Sequence, residues 1–270
     1  MKFFTQITLI SLFTLSTSAA FAGYEQAANV YNKGKYSSAI KEFKQLAKQG
    51  DMRAQRVMGL LHLDGEELDQ DDEAALKWLQ LAADQNDSVA QYFIGLMYSK
   101  GKGVRQNDRT ALQWWRDSAE QGNAKAQAQI GLLHFQGKKV RRDAALSTQW
   151  WSKAAEQGEL SAQRFLGLAY LAGKGVSRDY KAAITWLGKS AERGDVMSQY
   201  NLGLMLEKGK GAPQNLTHAT QWLRKASKRS KTKIVLLESL GENLRQDFTA
   251  ADKWYRKAAE QDYARLKSRK

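Results

Sequence analysis

AQYFIGLMYSKGKGVRQNDRTALQWWRDSAEQG, residues Ala90–Gly122, decides the fold. Its first part places Ala90, Ile94, Met97 and Tyr98 at helical spacing and stops at Gly101, a residue type suited to a left-handed helix end. The loop GKGVRQ follows, with Val104 as its one apolar residue, and is expected to fill the gap between two helices. Asn107 is of the type whose side chain accepts the free N–H groups of a helix start. A second helix then carries Ala111, Trp114 and Ala119 on one side and closes at Gly122. The stretch is a helical hairpin in which small residues such as Gly95 and Ala119 allow close approach.

Outward from this stretch the pattern recurs every 36 residues, in blocks that start at Ala54, Ala90, Ala126, Ala162 and Ser198. Glycine stands in phase at Gly59, Gly95, Gly131, Gly167 and Gly203, and again at Gly65, Gly101, Gly137, Gly173 and Gly209. Tryptophan recurs at Trp78, Trp114, Trp150, Trp186 and Trp222, as expected where each hairpin buries an apolar face against its neighbour. One position later Trp115 and Trp151 alternate with Leu79, Leu187 and Leu223, a set explained by apolar filling. Asp71, Asn107, Asp143, Asp179 and Asn215 mark the second-helix starts.

The registered pattern of alanine-glutamine, paired glycines, cap and tryptophan resembles the Sel1-like repeat family, tetratricopeptide-type arrays, over about Ala54 to Tyr263. The resemblance implies an all-α, right-handed α/α solenoid of helical hairpins. Both ends depart from it. Residues 23–53 lack the glycine loop and look like a plain tetratricopeptide hairpin, with Gly34, Tyr36, Ala39, Phe43 and Ala47. Five repeats occupy 54–233. Residues 234–270 form a degenerate capping repeat with a basic tail, because Trp254 follows Trp222 by only 32 residues.

The start of the chain has the layout of a secretory signal peptide: Lys2, an apolar run from Phe3 to Leu15, and Ala20-Phe21-Ala22. Cleavage after Ala22 leaves a periplasmic or secreted protein without a stable membrane anchor. Cysteine is absent, so disulfides, thiol nucleophiles and cysteine-ligated metals are excluded. The formal net charge of +14 favours acidic partners, and export argues against nucleic acid.

Catalytic chemistry finds no footing. None of the hydrolase, zinc-protease or P-loop motifs occurs, and the GKG loops belong to the repeat. His62 and His134 share a repeat position with Tyr98 and Tyr170 and read as core or groove aromatics; His218 has no acid or nucleophile motif around it. The acidic run Asp64–Glu73 lacks the alternation and glycine of a calcium loop and reads as a solvated approach to a helix N-terminus. No cofactor, metal or catalytic residue is expected.

A binding role is what remains. In arrays of this type the first helix of each hairpin faces a groove, and the third, seventh and eleventh block positions form one stripe. Leucine is constant at the seventh, while the third and eleventh vary. The expected partner-binding residues are Tyr92, Arg164 and Tyr200, with Lys100 and Lys208 steering. A basic patch, Arg224, Lys225, Lys228, Arg229, Lys231 and Lys233, could dock an acidic partner or membrane surface. The sequence therefore reads as a protein-binding scaffold with adaptor, regulator, immunity or host-interaction forms. The alternative is a binder of anionic cell-envelope polymer, peptidoglycan or acidic polysaccharide, through its basic C-terminal region.

Overall fold

After the first, the hairpins of the computed structural model are fixed at their helix starts by side chains that the repeat supplies. The structure describes residues 22–137 and 140–230, the side chains of 227–230 aside. The expected leader up to Phe21, Lys231 and Lys233 of the basic patch, and the terminal repeat lie outside the described residues. Among those described there are twelve helices and no strand: α1 (22–32), α2 (Tyr36–Lys48), α3 (Met52–Asp64), α4 (Asp72–Ala83), α5 (Ser88–Lys100), α6 (Asp108–Glu120), α7 (Ala124–Gln136), α8 (Ala144–Glu156), α9 (Leu160–Ala172), α10 (Tyr180–Glu192), α11 (Val196–Glu207) and α12 (Leu216–Ser230). The chain is an all-α solenoid that divides into two units, residues 1–126 and 127–270.

Capping follows the register. The carboxylate or amide of Asp71, Asn107, Asp143, Asp179 and Asn215 accepts backbone N–H groups at the starts of α4, α6, α8, α10 and α12, as the sequence pattern requires. A second series, Asp51, Asp87, Asn123, Glu159 and Asp195, does the same for the first helices. Gly101 closes α5 at φ 68°, in the left-handed region, where its N–H reaches the Met97 carbonyl.

Within a hairpin the recurring glycine is a seat for the large residue of the second helix. A Cβ on Gly95 would lie 2.5 Å from Trp115 Cδ1, and one on Gly59 would lie 2.6 Å from Leu79 Cγ. The second unit repeats this at Gly131 with Trp151 and at Gly167 with Leu187. The two indoles gain a bond as well: Trp115 Nε1 donates to the Tyr92 carbonyl at 3.2 Å, and Trp151 Nε1 to that of Ala128 at 3.3 Å. Both rings are buried, whereas the invariant tryptophans are half-buried. Trp78 packs on the cluster of Ile40, Phe43 and Met58, and Trp114 on that of Leu79, Ile94 and Met97.

Polar groups also tie the first helix of a hairpin to the turn that ends its second. The glutamine of each alanine-glutamine opening is buried, and in three of the four its Oε1 accepts from a turn glutamine about 30 residues on. The pairs are Gln55 with Gln85 (2.7 Å) and Gln91 with Gln121 (2.7 Å) in the first unit, and Gln127 with Gln157 (2.8 Å) in the second. Arg193 breaks this series. It turns to the Gly158 carbonyl, and Gln163 Oε1 is buried without a partner. Burying such an acceptor unpaired costs about 1–3 kcal/mol.

Candidate partner-binding groove

A groove of about 650 Å³ opens on the first unit, across α1, α3 and α5. Its floor and walls are apolar: Leu60 and Leu96 at the seventh block position, Val57 and Phe93 at the fourth, with Leu61 and Met97 beneath. The N-terminal hairpin closes one side with Tyr24, Ala28 and Tyr31. Tyr24 is fixed in place, its ring 5.6 Å from that of Phe43 and capped by the Arg53 guanidinium at 4.2 Å. Arg53 in turn reaches Glu25 and Asp51 at 3.4 Å each.

The rim carries opposite charges on adjacent helices. Asp64 ends α3, and its carboxylate lies within 4.8 Å of those of Glu66 and Glu67 in the following loop. Burial, then the hydrogen bond to Glu67 and the nearby negative charges, pushes the Tyr31 phenol up to about 12, so it stays neutral and donates to that carboxylate. One helix along, Lys100 ends α5 and Lys102 follows it, and both line the groove. Neither lysine is in an ion pair among the described residues.

The residues expected to hold a partner are distributed unevenly. Lys100 stands at the groove, and Lys208 is exposed beyond α11 in the second unit. Tyr92 and Tyr200 are buried, at 9% and 4% exposure. The Tyr92 ring packs edge-on against Phe93, and Tyr200 sits with Val196 and Ala226. Arg164 reaches Asp195 at 2.6 Å, and its equivalent Arg56 reaches Asp87 at 2.6 Å. At Arg56 and Arg164 the third position thus meets the cap of the following first helix, and at Tyr92 and Tyr200 it is buried. The accessible stripe runs through the fourth, seventh and eleventh positions, an i, i+3, i+7 spacing in place of i, i+4, i+8. Sequence reasoning passed over Val57 and Phe93, and also the contribution of α1.

The second unit has a different surface. Lys153, Lys189 and Lys225 each lie over the ring of a register tryptophan, Trp150, Trp186 and Trp222, at 4.7, 4.3 and 4.3 Å. Of the expected basic patch, Arg224 and Lys225 are exposed on α12, and Lys228 and Arg229 lie on the same helix. His134 is buried, with Nδ1 3.2 Å from the Arg141 carbonyl, a core position as its register implies. Among the described residues no helix is long and apolar enough to cross a membrane.

The profile of the Sel1 repeat matches residues 53–87, 88–123, 124–159, 160–195, 196–231 and 237–263. Among solved structures, a Sel1 repeat protein from Oxalobacter formigenes is 30% identical with a TM-score of 0.67, over 79% of this chain and 87% of that one. The protein c5321, a protective antigen of uropathogenic Escherichia coli strains with an SLR fold, is 32% identical with a TM-score of 0.73. That match spans 94% of this chain but 56% of the antigen. The immunity protein Pa5087 of Pseudomonas aeruginosa shares the fold at 19% identity and a TM-score of 0.51, over 78% and 81% of the two chains. No curated protein matches the sequence.

Proposed function

The chain belongs to the Sel1 repeat family, and from that membership we propose that it is an exported, non-catalytic scaffold whose first unit holds an apolar segment of a partner protein. Sel1 repeat proteins generally act as protein-interaction scaffolds. The observation that carries the reading is the groove itself, an apolar trough of about 650 Å³ with two lysines at its rim that have no ion pair among the described residues. Leu60, Leu96 and Phe93 supply contact area, and Lys100 draws in an acidic group and fixes its approach. Export rests on the leader-like start of the sequence and on the likeness to a protective antigen. Neutralising a toxin, as an immunity protein does, is one specific form of the role.

A photo-reactive side chain placed at Leu96 tests the assignment. Expected is one envelope or secreted protein crosslinked from Leu96 and not from the exposed Gln113 on α6, with a yield that half-molar salt lowers but does not abolish. Equal crosslinking from both positions would show that the groove is not the contact.

The second unit supports a separate reading, as a binder of anionic envelope polymer. Residues 127–270 hold 27 basic and 13 acidic side chains, and three lysine ammonium groups lie over tryptophan rings. Binding of that kind is screened by salt, so polymer retained on the full chain should elute as ionic strength rises.

A further inference from the structure

We propose that the groove of the first unit selects a dipolar segment, apolar along its length with a basic residue at one end and an acidic residue at the other. This rests on the groove being the partner site. The two ends of its rim differ in sign. Asp64, Glu66 and Glu67 gather at the end of α3, beside α1, while Lys100 and Lys102 stand at the end of α5. An occupant lying across α3 and α5 therefore meets a cluster of carboxylates at one helix end and two ammonium groups at the other.

The lysines lack an ion-pair partner among the described residues, so their charge is directed to whatever enters. A uniformly acidic segment would satisfy them and be repelled by Asp64 and Glu66. A uniformly basic one would do the reverse. An uncharged apolar segment gains neither contact. Only a segment with both signs is favoured along the whole groove, and the order of its charges fixes which way it lies.

Selection from a random peptide library displayed on phage tests this, with the full chain as bait. Counter-selection uses two groove-blocked variants, Leu60→Glu and Leu96→Gln, each accepted only if its helix content matches the parent. Expected survivors combine apolar residues with one basic and one acidic residue. Synthetic versions should lose about threefold in affinity when either charge is neutralised, the scale of one exposed charge pair. The same selection on Lys100→Glu with Lys102→Glu should return peptides that keep the basic residue and lose the acidic one. Survivors that are uncharged or carry one sign only would overturn the dipolar proposal and leave the groove in place. If the groove-blocked variants retain the same peptides as the parent, the groove assignment falls as well.

Discussion

The two units share a hairpin and differ in almost everything they show to solvent. Residues 22–126 carry 14 basic and 15 acidic side chains, while residues 127–270 carry 27 and 13. Three residues after the register tryptophan, the first unit has Leu81 and Asp117, and the second has Lys153, Lys189 and Lys225. The buried positions hardly change: glycine opposite Leu79 or Trp115 in one unit is glycine opposite Trp151 or Leu187 in the other. Packing at these seats constrains residue type tightly, because a side chain there has no room to move. The exposed positions carry no such constraint, so one scaffold supports an apolar groove with a two-signed rim in one part and a basic, tryptophan-backed surface in the other.

The likeness of the two interiors is open to direct attack. Gly95→Ala in the first unit and Gly131→Ala in the second each drive a methyl group to 2.5 Å from an indole carbon. Each should cost about 3 kcal/mol, the upper range for overpacking, read as a fall in the urea midpoint. An unchanged midpoint for either would mean that the seat is looser than its geometry.

Smaller effects separate the joints. Asp87 is 3% exposed and Arg56 is 25%, whereas Asp195 is 4% and Arg164 only 12%. Removing either aspartate deletes a helix cap and leaves a partly buried guanidinium unpaired, at a cost of about 2 kcal/mol after discounting for solvent. Asp195→Ala should exceed Asp87→Ala, since Arg164 has less water to fall back on. Double-mutant cycles with Arg56→Ala and Arg164→Ala measure both pairs, and a larger coupling at Arg56 would reverse the comparison.

The smallest expected change is a gain. Arg193→Gln would restore to the second unit the glutamine pairing that runs unbroken in the first, giving Gln163 Oε1 a donor. About 1 kcal/mol of added stability follows from satisfying that acceptor. A loss on thermal unfolding would show that the bond from Arg193 to the Gly158 carbonyl is worth more.

Much of this was readable before any coordinates. Period, helix ends and second-helix caps are local, set by residues a few positions apart, and Asp71, Asn107, Asp143, Asp179 and Asn215 all cap as their residue types imply. The site was less legible. A stripe of leucines gives one edge of a helix face but not which flank the next hairpin covers, and Tyr92 and Phe93, adjacent in sequence, point about 100° apart. Tyrosine and arginine also look alike on a surface and in a joint, so Arg164 gave no sign that Asp195, 31 residues on, would hold it. Nor does periodicity reach the N-terminal hairpin, whose Tyr24 and Tyr31 wall the groove from outside the repeat.

The pairing at the joint has a consequence for how such a chain can be rewritten. Arg56 is answered by Asp87, and Arg164 by Asp195, so the third residue of a 36-residue repeat holds the aspartate at its far end, which caps the helix that follows. Where tyrosine or alanine replaces the arginine, at Tyr92 and Ala128, the corresponding caps are Asn123 and Glu159. Arginine at the third position therefore travels with its aspartate. A repeat duplicated or moved along the chain as 53–87 or 160–195 carries both halves of the pair, and with them a cap ready for whichever first helix comes next.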